Sequence, residues 1–109
     1  MADYEVFLTR GAERDLEDLH RYVGASDSAA RADHLLDRIL EAAEGLASLP
    51  GRGHLPGELE ALGIREYRQV MVGPYRLIYR VRDERVYIYL IVDGRRDIQS
   101  LLERRLLGG

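Results

Sequence analysis

The chain has 109 residues, 16 basic and 19 acidic, for a formal net charge of −3, and it has no cysteine. That length suits a single domain over residues 1–109, able to bury roughly 60–70% of its unfolded surface in one core. Disulfides, thiolate chemistry and Cys-based metal sites are excluded, and no apolar run nears the ~18 residues of a membrane span.

Residues 1–10 (MADYEVFLTR) carry two early acids and no long apolar stretch, so no signal peptide is read and a cytoplasmic protein is expected. Residues 3–9 alternate, with Tyr4, Val6 and Leu8 against Asp3, Glu5 and Phe7, which predicts a first strand. Thr9 is placed to cap a helix over residues 10–24, whose apolar positions are Ala12, Leu16, Leu19 and Val23, with Gly24 as its C′ residue. Asp27 or Ser28 caps a second helix over 28–49, with Ala32, Leu35, Leu36, Ile39, Leu40, Ala43, Leu46 and Leu49 on its apolar side. Pro50-Gly51 ends it. The short connection predicts an antiparallel helical hairpin. Residues 50–64 are loop-rich, with room for one helical turn at 57–62 and a functional or mobile role expected from the length.

The stretch from Arg65 to Asp97 reads as a meander. Residues 66–72 end at the turn signal Gly73-Pro74. In 75–82, Tyr75, Leu77, Tyr79 and Val81 share one face and Arg76, Ile78, Arg80 and Arg82 the other. A turn at Asp83-Glu84 leads into 86–92 (VYIYLIV), apolar on both faces and hence expected to be central. The charged turn Asp93-Gly94-Arg95-Arg96-Asp97 follows. Residues 98–107 read as a closing helix and Gly108-Gly109 as a tail. The fold expected is α+β: a strand, a two-helix hairpin packed on a mostly antiparallel sheet of about four strands, and a short C-terminal helix.

All 16 basic residues are arginine. An acidic chain is not a generic coat for nucleic acid. Arginine nevertheless suits bidentate contacts with phosphate or carboxylate, so a local basic patch fits the composition.

The order of elements, the segment Gly73-Pro74-Tyr75-Arg76-Leu77-Ile78-Tyr79 and the ending Gly94-Arg95-Arg96-Asp97 together resemble the RelE/ParE toxin superfamily. The resemblance covers nearly the whole chain. It implies the toxin of a type II toxin–antitoxin system, associated with plasmid stabilisation and growth inhibition, and held by a cognate antitoxin in a hetero-oligomer. RelE-like members cut mRNA on the ribosome with basic residues and a C-terminal tyrosine or histidine. ParE-like members inhibit DNA gyrase and need no nuclease site. Arg68, Arg76 and Arg96 match RelE-type basic positions. Val70 stands at the next basic position, and Leu102 at the tyrosine. The Val-Asp-Gly-Arg-Arg-Asp ending is more similar to the ParE branch, where many members carry histidine in place of Asp93.

The expectation is therefore a gyrase inhibitor without cofactor, metal or membrane partner. Arg68, Arg76, Arg95 and Arg96 would form a patch for the target or for acidic antitoxin residues. The alternative is a ribosome-dependent mRNA endonuclease using Arg76, Arg96 and His54. Arginine, with a pKa of about 12 or higher, transfers protons poorly, so His20, His34, His54 and Glu58 are the acid–base candidates. A non-toxic binding module is the alternative of another class. Each residue also has a plain reading. The alternating arginines would be a solvated strand face, and Arg95 and Arg96 partners of Asp93, Asp97 or Glu103. The Tyr75/Tyr79 and Tyr87/Tyr89 pairs would be cross-strand packing. Asp15, Glu17, Asp18, Asp33, Asp37 and Glu41 would be a solvated acidic face.

Overall fold

Thr9 ends the first strand and starts the first helix. Its backbone N–H and its hydroxyl both donate to Ile88 O at 3.1 Å, and the same hydroxyl accepts from Ala12 N at 3.2 Å. A β-branched residue with a side-chain acceptor suits this junction of strand and N-cap. The computed structural model describes residues 3–106; the expected Leu107 and the Gly108-Gly109 tail lie outside them.

Strand β1 (Glu5–Leu8) leads into helix α1 (Arg10–Ser26), followed by α2 (Ala29–Gly45). Gly24 does not end α1, as its composition suggests. The helix runs two residues further, closed by Asp27 N–H donating to Val23 O at 2.9 Å and by the Ser26 hydroxyl on Tyr22 O at 2.7 Å. Ser28, rather than Asp27, caps α2, its hydroxyl accepting from Arg31 N at 3.1 Å. The second helix also stops earlier than Pro50-Gly51 predicts. After Gly45 the chain tightens to a three-residue step, Leu46 N–H to Ala43 O at 3.1 Å, which turns Leu46 fully into the core.

A short helix α3 (Gly57–Glu60) precedes strands β2 (Arg68–Val72), β3 (Tyr75–Arg82) and β4 (Arg85–Asp93). Helix α4 (Ile98–Leu106) closes the chain. The four-stranded sheet has the order β1-β4-β3-β2, with β1 parallel to β4 and the remaining pairs antiparallel. Two tight turns build the meander. Gly73 sits at φ 58°, and Asp83 at φ 55°, a left-handed conformation that aspartate tolerates in two-residue hairpin turns.

Alternation along the strands divides the core. Leu77, Tyr79, Val86, Ile88 and Ile91 pack under the hairpin against Ala12, Ile39, Ala43 and Leu46. Ile78 and Leu90 face the other way, under Leu59, Tyr67, Ile98 and Leu102 of the α3–α4 side. As β3 steps from Ile78 to Tyr79, its partner steps from Leu90 to Ile88. Tyr89 is the extra residue of that bulge, and β4 bends there. Among the described residues, no helix is long and apolar enough to cross a membrane.

The 50–64 loop is pinned by one buried phenol. Tyr79 donates to Pro50 O at 2.8 Å and accepts from Gly53 N at 3.0 Å. Burial pushes this phenol's pKa up. Next to it, His54 and Gln69 exchange two backbone hydrogen bonds, 2.9 and 2.7 Å, adding a one-residue strand to the β2 edge. Gly53 is required there, because a Cβ would lie 2.6 Å from both Gln69 O and the Tyr79 hydroxyl. Replacing Tyr79 by Phe strands the Gly53 N–H and the Pro50 carbonyl. The expected loss is about 1–3 kcal/mol, read in urea as a lower midpoint with an unchanged slope.

Candidate functional site

Arg76 is the second residue of β3, opposite Met71 of β2 and Val92 of β4. Alternation places it on the α3–α4 side of the sheet, where its Nη1 donates to Glu58 Oε1 at 2.8 Å and to Gln69 Oε1 at 3.2 Å. Its side chain is 17% exposed. The hydrogen bond from Arg76 holds the Glu58 carboxyl below the usual carboxylate range. Gly94 crosses close by, its N–H on Pro74 O at 2.8 Å, and a Cβ on it would touch Arg76 Cγ and Nε at 3.5 Å. His54 is exposed. Its pairing with Gln69 puts it on the same face, at the sheet edge.

The other three arginines of the expected patch lie elsewhere. Arg68 stands opposite Tyr79, on the hairpin side, and its Nη1 donates to Gly53 O at 2.9 Å. Arg95 is folded onto Asp93, with Nε and Nη2 each 3.1 Å from a carboxylate oxygen and the backbone N–H at 2.9 Å. This pairing holds the Asp93 carboxyl below its ordinary range. Arg96 is exposed and makes no ion pair among the described residues. It borders a cleft of about 350 Å³ that includes Asp15, Tyr22 and Tyr75. The geometry therefore gathers Arg76, Glu58 and Gln69, with His54 on the same face, while Arg96 opens toward α1 beyond the strand ends.

His20 and His34 belong to the hairpin, and His20 Nε2 joins Asp33 Oδ1 at 2.8 Å between its two helices. Leu102, at the position of the nuclease tyrosine, is 3% exposed in the core. Val70 packs against the hairpin-side core. Neither offers a proton or a charge. Asp15 departs from the solvated face expected of it: its carboxylate is largely buried against Arg105, at 3.0 Å. The local sequence around Asp15 gives no sign of this, since the partner lies 90 residues away. Among the described residues, no group of three His, Asp or Glu side chains could hold a metal ion.

The sequence model of the family described as "ParE toxin of type II toxin-antitoxin system, parDE" matches residues 6–98. The chain belongs to this family. Among solved structures it is similar to a chain of the chromosomal ParDE toxin–antitoxin system from P. aeruginosa, with a TM-score of 0.70 and 19% identity, covering 83% of this chain and 95% of that one. It is also similar to a chain of the RelBE2 toxin–antitoxin complex from Mycobacterium tuberculosis, with a TM-score of 0.58 and 26% identity, covering 84% and 98%. A comparison with curated proteins finds no match. In this ParE-family chain β3, which carries Arg76, and the 93–97 turn fall within the matched span, which reaches only the first residue of α4, Ile98.

The Arg76–Glu58 pair makes a pH prediction. Glu58 has a depressed pKa in the folded state, so its contribution is present above the unfolded carboxylate value and is lost as pH falls through the folded one. Glu58→Gln should flatten the fall in stability between about pH 5 and 3. Because Glu58 is 38% exposed, the difference should stay below about 1 kcal/mol, read as urea midpoints across that range.

Proposed function

We propose that this ParE-family chain is the toxin of a type II pair and arrests growth by acting on DNA gyrase, with a cognate antitoxin holding it inactive. The observation that carries the reading is the family match over residues 6–98. The nuclease positions support it. RNA cleavage needs a group to take the 2′-OH proton and one to protonate the leaving oxygen. Leu102 is buried core and Val70 is a hydrocarbon. The guanidinium of Arg76 is engaged by Glu58 and Gln69. Arg95 and Arg96, on an exposed turn fixed by Gly94, are the cations best placed to meet a protein target.

The antitoxin reading rests on the two toxin–antitoxin complexes among the neighbours and on an unfilled cleft. Along the hairpin, Leu16 and Leu36 floor a space of about 260 Å³ rimmed by Glu13, Glu17 and His20. An amphipathic segment can lay its apolar side there. The second reading is ribosome-dependent cleavage of mRNA. It is favoured by one observation, that His54 shares a sheet face with Arg76, as a proton-transfer group and a cation would.

Inducing the chain in growing cells separates the two. Gyrase poisoning predicts double-strand DNA breaks, an SOS response and intact mRNA. Cleavage of translated mRNA at codon positions, without DNA damage, would select the second reading. Arg96→Ala should weaken growth arrest or antitoxin affinity by about tenfold, the value of one charge-assisted hydrogen bond, at unchanged stability.

A further inference from the structure

The face under α3 and α4 is only partly covered. Toward the Asp83-Glu84 turn it stays open, and there the strands align two rows of side chains. One row is Phe7 of β1, Tyr87 of β4 and Arg80 of β3; the next is Glu5, Arg85 and Arg82. The Phe7 and Tyr87 rings stack at 5.5 Å and 21°. Phe7 is 39% exposed, unusual for a phenylalanine with a core beside it. Arg80 lies over the Tyr67 ring, 5.9 Å from its centroid. Past Arg80, at the β2 edge of the sheet, a cleft of about 290 Å³ is lined by Arg65, Glu66 and Arg80 together with Arg68 and Val81 of the hairpin-side face. Arg80, Arg82 and Arg85 make no ion pair among the described residues, whereas six other arginines do.

We propose that this open sheet face is a binding site for single-stranded nucleic acid. Two adjacent rings stand beside the Arg80 guanidinium in one row, and Arg85 and Arg82 stand side by side in the next, on strands about 4.8 Å apart. A nucleotide chain offers flat bases for the rings and phosphates for the guanidiniums, and a base stacks on an aromatic ring whatever its identity. Bases stacked inside a duplex do not offer their faces to a protein ring, so the face selects single strands. Glu5 at one end and Glu66 in the cleft oppose phosphate, which limits the site to a short contact of two or three nucleotides. The site uses neither Arg76, His54 nor Arg96, and it stands independently of which target the toxin acts on.

The test is fluorescence anisotropy of the purified full chain with labelled oligothymidylate, oligouridylate and a duplex. Single strands should bind at micromolar concentration in low salt. Affinity should fall with salt at a log–log slope of about −2, for three neutralised phosphates. Tyr87→Ala should weaken binding by about 5- to 150-fold, the loss of one stacked base, and Tyr87→Phe should restore it. The exposed Arg82→Ala, Arg85→Ala double variant should make the slope shallower by about 1.4 while the fold is kept. That variant decides alone if Tyr87→Ala does not fold. No binding, equal affinity for the duplex, or binding that ignores these variants would overturn the proposal.

Discussion

The Asp15–Arg105 ion pair completes the sheet where its edge strand runs out. β1 accompanies β4 only as far as Ile88, where Thr9 N–H makes the last contact. Beyond it, the outward Tyr89 carbonyl and Ile91 N–H have no strand to meet. Arg105 donates to the Tyr89 carbonyl, and Asp15 accepts from Ile91 N–H at 3.0 Å. The two side chains bond each other at 3.1 and 3.0 Å. A buried ladder group left unpaired costs about 1–3 kcal/mol, and both charges need their partner once out of water. Gly11 belongs to the same arrangement, because a Cβ on it would run into the Arg105 side chain.

That pair joins α1, β4 and α4. It holds α4 over Ile78 and Leu90, which buries Leu102 at the place where a nuclease would need a reactive group. Asp15 also borders the cleft on which Arg96 opens. The 93–97 turn is fixed between two anchors, Gly94 on Pro74 and Asp97 on Ser100, whose hydroxyl and N–H bond its carboxylate at 2.8 and 3.2 Å. Those bonds hold the Asp97 carboxyl below its ordinary range. The arginines of this turn are therefore presented from a rigid base, which suits recognition of a protein surface better than a mobile tail does.

Local chemistry made the elements legible. The caps at Thr9 and Ser28, the period of two through Tyr75–Val81 and the turn at Gly73-Pro74 are all decided by near neighbours. Two kinds of fact were not legible. Strand order depends on which element crosses which, and nothing in residues 5–8 announces a parallel partner 80 residues on. Side-chain partners across the fold are likewise invisible: Asp15 reads as one acid among many on α1, and nothing in the sequence sets Arg105 apart from the other arginines. The four arginines expected as a patch do not share one face, for a simpler reason. Arg68 and Arg76 sit on adjacent strands at positions of opposite facing, which only the register of β2 against β3 decides.

The ion pair's role as a substitute strand is tested most directly by amide hydrogen exchange in Asp15→Ala. Ile91 N–H should lose most of its protection, because its acceptor is gone. Leu90 N–H, pointing by alternation toward β3, should stay protected, as β3 and β4 remain paired. Unchanged protection at Ile91, or a uniform loss along β4, would contradict the account.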